Sequence, residues 1–158
     1  IIKIKLFFNN KIISEHDLEK LLSTDRNEIF ENIRDAALSG EKIKLNELMG
    51  NYVFNNDETF SYLNAINYRL LKLLDIHQQI SIYGNQELAI SKVRPPIFWK
   101  DKPILLKLIK KWDKIRVLEA IKYLSKTEET IKKNSQINNI ALVKNSILNL
   151  CSNSWTYF

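Results

Sequence analysis

Glycine is scarce in this chain of 158 residues: Gly40, Gly50 and Gly84 are the only three. Neither a G-x-G-x-x-G turn nor a G-x-x-x-x-G-K-S/T loop can be written on them, which excludes the two commonest backbone cradles for nucleotide phosphates. Proline is equally rare, three residues in all, so the chain lacks the turn chemistry of a many-stranded sandwich or barrel. Its single cysteine, Cys151, excludes an intrachain disulfide and suits a reducing, cytoplasmic setting. His16, His77 and Cys151 are scattered singly, with no metal-ligand spacing among them, so neither a metal nor a cofactor is expected. No apolar run approaches the length of a membrane span. The opening Ile1–Phe8 is interrupted by Lys3 and Lys5 and has no small-residue cleavage site, so no signal peptide and no membrane partner is expected. The chain begins without Met and reads as a piece of a larger protein.

What is present points to helices. Hydrophobic residues at 45% and charged residues at 27% fit a globular chain of one domain, or one domain plus a piece of another. Ile, Lys and Asn number 22, 19 and 17, a bias that AT-rich codons explain more simply than function does, so the lysine excess is discounted in part. The net charge of +6 is unevenly placed. Residues 92–133 hold 13 basic and 5 acidic groups, whereas residues 1–91 hold 10 and 13, so the basic excess lies in one stretch.

Along the chain, residues 1–10 read as the last turns of a truncated helix. Ser14-Glu15-His16-Asp17 is a capping-box pattern that opens a short helix through Leu22, and Asp25-Arg26-Asn27-Glu28 repeats the device before a helix ending at Gly40. Ile43, Leu45, Leu48 and Met49 form another short helix closed by Gly50. From Asp57 to about Gln79, Phe60, Leu63, Ile66, Leu70, Leu74 and His77 recur with the period of a buried helical face. Residues 86–93 form a brief helix before the proline loop Arg94–Pro103. Beyond it, Ile104, Leu105, Leu108, Ile109 and Trp112 fall on one arc, opposite a purely basic face of Lys107, Lys110 and Lys111. Asp113 caps the next helix, to about Asn134, whose inward arc is Val117, Leu118, Ile121, Leu124 and Ile131, with Glu128 inside it. The last helix, 138–151, turns Ile140, Val143, Ile147 and Cys151 inward. Trp155, Tyr157 and Phe158 leave an aromatic tail. The fold class is therefore all-α, a helical bundle.

Catalytic chemistry finds no footing. His77 reads as a core or half-buried residue of a long helix, because an acid–base role needs a partner the sequence does not supply. Cys151 on an apolar face reads as an inert thiol. No nucleophile elbow or kinase-type motif occurs, so the chain is not expected to be an enzyme. The basic region is more informative. Lys122, Lys126 and Lys133 share a face with Glu119 and Glu129, a self-neutralised surface. Lys107, Lys110 and Lys111 have no acidic neighbour on their own helix and, with Lys100 and Lys102, form a candidate phosphate-contacting face. Trp99 comes shortly after Pro95-Pro96 and directly before Lys100. Either it anchors the loop in the core, the commoner fate of tryptophan, or it is an exposed surface for a base, a contact worth about 1–3 kcal/mol; Phe98 could be the anchor while Trp99 points out. The candidate DNA-binding set is Trp99, Lys100, Lys102, Lys107, Lys110 and Lys111. On these residues alone, an independent helical nucleic-acid-binding module is one open reading.

Three collinear segments resemble a known family. Arg94-Pro95-Pro96-Ile97-Phe98-Trp99-Lys100-Asp101-Lys102 is similar to the Arg-Pro-Pro, apolar, aromatic, basic segment of the delta subunits of the bacterial DNA polymerase III clamp loader. Ile13-Ser14-Glu15-His16-Asp17-Leu18 with Arg34-Asp35-Ala36-Ala37-Leu38-Ser39-Gly40 resembles the end of that family's small lid domain, and Thr127-Glu128-Glu129-Thr130-Ile131-Lys132 its penultimate collar helix. The resemblance implies that residues 1–40 end a lid domain related to those of AAA+ proteins and that residues 41–158 form the helical collar through which five subunits close a ring. It implies a non-catalytic part of a polymerase holoenzyme in DNA replication. Its partners would be the gamma/tau motor and delta-prime subunits, primer–template DNA, and the sliding clamp gripped by an N-terminal domain outside this chain. Trp99 matches the aromatic that stacks on the DNA end, whereas Ser135 lies near the place of a second aromatic. Glu128, polar on an apolar arc, is expected to be satisfied by a neighbouring element or subunit.

Overall fold

The computed structural model describes the backbone of residues 15–134 and 136–154, and the side chains from Arg26 onward within that range. The expected helix over residues 1–10, the Ser14 cap, the side chain of His16, Ser135 and the aromatic tail from Trp155 lie outside the described residues. What is described is all-helical. The elements are α1 (Glu15–Ser39), α2 (Lys42–Gly50), a short 3-10 turn (Asn56–Glu58), α3 (Thr59–Tyr83), α4 (Gln86–Lys92), α5 (Lys102–Lys111), α6 (Lys114–Lys133) and α7 (Asn139–Ser152). None of these helices is long and apolar enough to cross a membrane.

Local chemistry accounts for most of the boundaries. Gly40 adopts a left-handed φ of 70° and donates to Ala37 O at 3.0 Å while Glu41 N reaches Ala36 O at 3.0 Å, the two-bond closure that ends α1. Gly84, with φ of 68°, ends α3 in the same conformation. Asn85, Asp113 and Asn138 each accept main-chain N–H groups at the starts of α4, α6 and α7, satisfying donors that a helix start leaves free. Pro103 sits in the first turn of α5, where its missing N–H costs nothing.

Three expectations are corrected. The two short helices expected before Gly40 are one continuous helix, because Ser23-Thr24-Asp25 does not interrupt α1. Gly50 does not close α2 from outside but lies within its last turn, with Asn51 as the cap. The inward face of α6 is rotated from the arc expected: Leu118 is 47% exposed, while Ala120, Tyr123 and Thr127 are buried. The rotation has a packing cause, since Tyr123 accepts hydrogen bonds from Asn149 Nδ2 at 2.9 Å and Ser146 Oγ at 3.4 Å on α7.

The core is built around α3, which packs against α6, α4, α5, α7 and α1. Its buried stripe is Tyr62, Leu63, Ile66, Leu70, Leu73 and Ile76, whereas Phe60 is partly exposed and Leu74 and His77 are half-buried. Residues on both sides of Gly40 enter this core: Phe30, Ile33, Ala37 and Leu38 from α1 pack in one cluster with Leu105, Trp112 and Ile147. An aromatic group made by Phe30, Tyr52, Phe54 and Tyr62 closes one part of it, with Phe30 and Tyr62 centroids 4.6 Å apart. Tyr62 donates its hydroxyl to Glu58 at 2.6 Å; burial first and this bond second push its pKa up.

Candidate nucleic-acid interface

The proline segment is held at both ends and open at its tip. Val93 is fully buried at the end of α4, and Ile97 packs against the core, so Ile97, not Phe98 or Trp99, is the anchor. Phe98 O accepts from Asp101 N at 3.0 Å, which folds Phe98–Asp101 into a four-residue turn with Trp99 and Lys100 at its apex. Trp99 is 67% exposed and Phe98 58%. The sequence left open whether Trp99 was buried or displayed; it is displayed. Its ring lies 5.8 Å from that of Phe98, and Lys100 Nζ sits 5.5 Å from the Trp99 centroid, within range of a cation–π contact.

The foot of this turn rests on buried charge that the sequence reading did not single out. Arg69 of α3 donates to Asp101 at 3.3 Å and to Asp35 of α1 at 3.0 Å. Arg34 donates to Asp35 through two nitrogens at 2.9 and 3.1 Å. Both arginines are buried, at 4% and 6% exposure. A guanidinium taken out of water needs a carboxylate partner, and removing one partner of such a pair is strongly unfavourable. Lys72, one turn beyond Arg69, donates to Pro95 O at 3.3 Å. Two residues of α3 therefore grip the two ends of the loop. The signal in the sequence was Arg69 itself, a charge between Ile66 and Leu70 on the inward stripe.

The lysines of the candidate set divide. Lys100, Lys102 and Lys110 are exposed. Lys107 is also exposed but is ion-paired with Glu41, so the face expected to be purely basic is partly neutralised by a residue 66 positions earlier. That hydrogen bond, above all, holds the Glu41 carboxyl below its usual range. Lys111 is half-buried against Gly40, its ammonium occupying the place a glycine Cβ would take. Glu128 is satisfied within its own helix by Lys132 at 2.6 Å, and Glu129 likewise by Lys133.

His77 donates from Nε2 to Trp112 O at 2.5 Å, and Cys151 is buried, with burial pushing its thiol pKa up. No group of three or more potential metal ligands occurs among the described residues. A groove of about 290 Å³ between α6 and α7 is lined by Thr127, Tyr123 and Ser146, which bond to one another or to main chain. A second pocket, of about 210 Å³, lies at the foot of the Trp99 turn between Tyr68, Lys72, Pro95 and Phe98, with Arg34 and Arg69 in its lining. Comparison with protein-family models, with curated proteins and with solved structures finds no match to this chain.

Proposed function

We propose that the chain is a non-catalytic helical scaffold of a clamp-loader delta subunit, comprising the end of a lid domain (1–40) and a collar (41–158), which assembles with motor and delta-prime subunits and touches primer–template DNA through Trp99. The observation that carries this reading is the exposure of Trp99 at the apex of a braced turn. Burying so large a ring is the ordinary outcome for tryptophan, and its display between Phe98 and Lys100 supplies a stacking face and a nearby cation. Lys102 and Lys110 extend the positive surface, and Lys107 and Lys111 contribute less because each is engaged with the α1–α2 junction. The three segments that resemble the delta family give the reading its machine.

The test is reconstitution. The full-length subunit, mixed with motor subunits from the same source, should co-elute as one complex. That complex should lose about tenfold or more in affinity for a primer–template on Trp99→Ala, in proportion to one stacked base. Failure of the full-length protein to co-assemble removes the scaffold assignment. A second reading, an independent nucleic-acid-binding module, draws on the fact that the braces of the Trp99 turn, Arg69, Lys72 and Ile97, all belong to this chain. It requires salt-dependent binding of DNA by the chain alone.

A further inference from the structure

Asp101 stands at the N-cap of α5 but does not cap it. Aspartate is among the best capping residues, and the caps Asn85, Asp113 and Asn138 of this chain each have an extended backbone and accept main-chain N–H groups with their side chains. Asp101 instead has helical φ and ψ of −79° and −23° and no side-chain bond to its own helix. Its carboxylate goes to Arg69 on α3, at 3.3 Å. Pro103 brings no N–H to the first turn of α5, and the N–H of Ile104, three residues past the cap and a usual target of a capping side chain, has no acceptor among the described residues. The residue that suits the cap is drawn elsewhere.

Arg69 does not depend on Asp101 for its counter-charge. The same nitrogen, Nη2, donates to Asp35 of α1 at 3.0 Å. The Asp35 side chain is 13% exposed and that of Asp101 41%, so Asp35 is the nearer and better-buried partner. A buried guanidinium that loses Asp101 is therefore not left unpaired, the outcome that makes breaking such a pair costly. Asp35 is shared in turn with Arg34, which has Glu31 at 3.7 Å as a further partner. Asp101 thus has two alternative acceptor roles, towards Arg69 or towards its own helix, and Arg69 has two alternative carboxylates, one on α1 and one on the turn.

We propose that Asp101 is a two-position latch that couples α1 to the Trp99 turn. In the latched position, the one in this structure, Asp101 holds Arg69 and its N–H closes the turn on Phe98 O. In the released position its ψ swings from −23° towards the 168° of Asp113, its carboxylate accepts from Ile104 N–H, and Arg69 stays on Asp35. Ile97 on one side and Leu105 on the other are fixed in the core, so the swing falls on Phe98–Lys100, opens the turn and re-aims Trp99. The two carboxylates compete for one nitrogen. A displacement of α1 that loosens Asp35 therefore tightens the latch, and by reciprocity a released latch tightens α1 on α3. The proposal goes beyond the functional reading above and does not rest on what Trp99 touches.

Amide hydrogen exchange of the whole chain, read residue by residue by NMR, tests the latch, since the N–H of residue 101 is protected in the latched state and that of Ile104 in the released one. In wild type the first should be the better protected. Asp101→Asn removes the charge that Arg69 holds but keeps a capping side chain, and should slow exchange at Ile104 by about tenfold, a cap's worth, while speeding it at residue 101. Asp101→Ala, which can neither pair nor cap, should speed exchange at residue 101 and leave Ile104 as in wild type. Asp35→Asn weakens the rival contact and should slow exchange at Asp101 by about threefold. Asp35→Glu, which keeps a charge beside Arg34 and so guards against misfolding, should act in the same direction. Ile104 exchanging as fast in Asp101→Asn as in Asp101→Ala overturns the latch, and unchanged exchange at Asp101 in the folded Asp35 variants overturns its coupling to α1.

Discussion

The indole N–H of Trp112 donates to the main-chain carbonyl of Leu38 across 2.7 Å, in a part of the core where both residues are fully buried. The bond joins the end of α5 to the end of α1. The carbonyl of Trp112 accepts from His77 Nε2 on α3, so one residue ties three helices together. Trp112 ends the same helix, α5, whose start follows the Trp99 turn.

Replacing Trp112 by Phe keeps a ring but removes the donor, leaving Leu38 O unpaired where no water reaches it, and empties part of the space. An unsatisfied buried carbonyl costs about 1–3 kcal/mol and the lost volume adds to it, so the expected destabilisation is about 2–4 kcal/mol. Urea unfolding reads it, with Leu118→Ala as the comparison. Leu118 is among the exposed large hydrophobics and its truncation should stay within about 0.5 kcal/mol of wild type. A Trp112→Phe variant as stable as that control would show that the bond does not hold the joint.

The three glycines should respond in opposite directions. Gly50 lies in the last turn of α2 with nothing near the position of a Cβ, so Gly50→Ala should stabilise by about 0.5–1 kcal/mol, the helix-propensity difference. Gly40 needs its positive φ, and a Cβ there meets the side chain of Lys111 and, at 3.4 Å, Cys151 O. Gly40→Ala should therefore destabilise by about 1–2 kcal/mol for the backbone conformation alone, and by more than Gly84→Ala, where the φ is similar and the surroundings are open. Melting temperatures of the three variants check the order, and a stabilising Gly40→Ala would contradict it.

How far the sequence could be read depended on the range of each interaction. Caps act over three or four residues, and Asn85, Asp113 and Asn138 mark their helices without knowledge of anything distant. The same logic placed a start at Asp25, where α1 runs on. A capping residue is a weak local preference, and the apolar face that follows, with Phe30, Ile33 and Leu38 in the core, favours a continuous helix. The phase of α6 was misjudged because hydrophobicity alone puts Leu118 inward and discounts Tyr123 and Thr127, whose hydroxyls find partners on α7. Trp99 was legible as a residue of interest but not as an exposed one. That outcome depends on Ile97 taking the anchoring role and on Arg69 and Lys72 gripping the loop from a helix about 30 residues away. The pairing of Glu41 with Lys107 lay equally beyond a helix-by-helix count of charges.

That pairing has a pH signature. The hydrogen bond from Lys107 lowers the pKa of Glu41 against the opposing effect of burial, so the carboxylate is favoured in the folded chain relative to the unfolded one. A depressed carboxylate contributes stability that is fully present above its unfolded pKa of about 4.3 and is lost as pH falls through the lower folded value. The Lys107 and Glu41 side chains are 59% and 31% exposed, so solvent screening limits the contribution to below about 1 kcal/mol. Lys107→Gln should therefore be slightly less stable than wild type above about pH 5, by a constant margin, and the margin should shrink as pH drops towards 3. Glu41→Gln, which also removes the Lys44 pair at 3.4 Å, should show at least that margin and the same loss of it in acid. Urea midpoints across that range test both variants, and a margin that persisted or widened in acid would mean that Lys107 stabilises the fold by packing its stem and not through its charge.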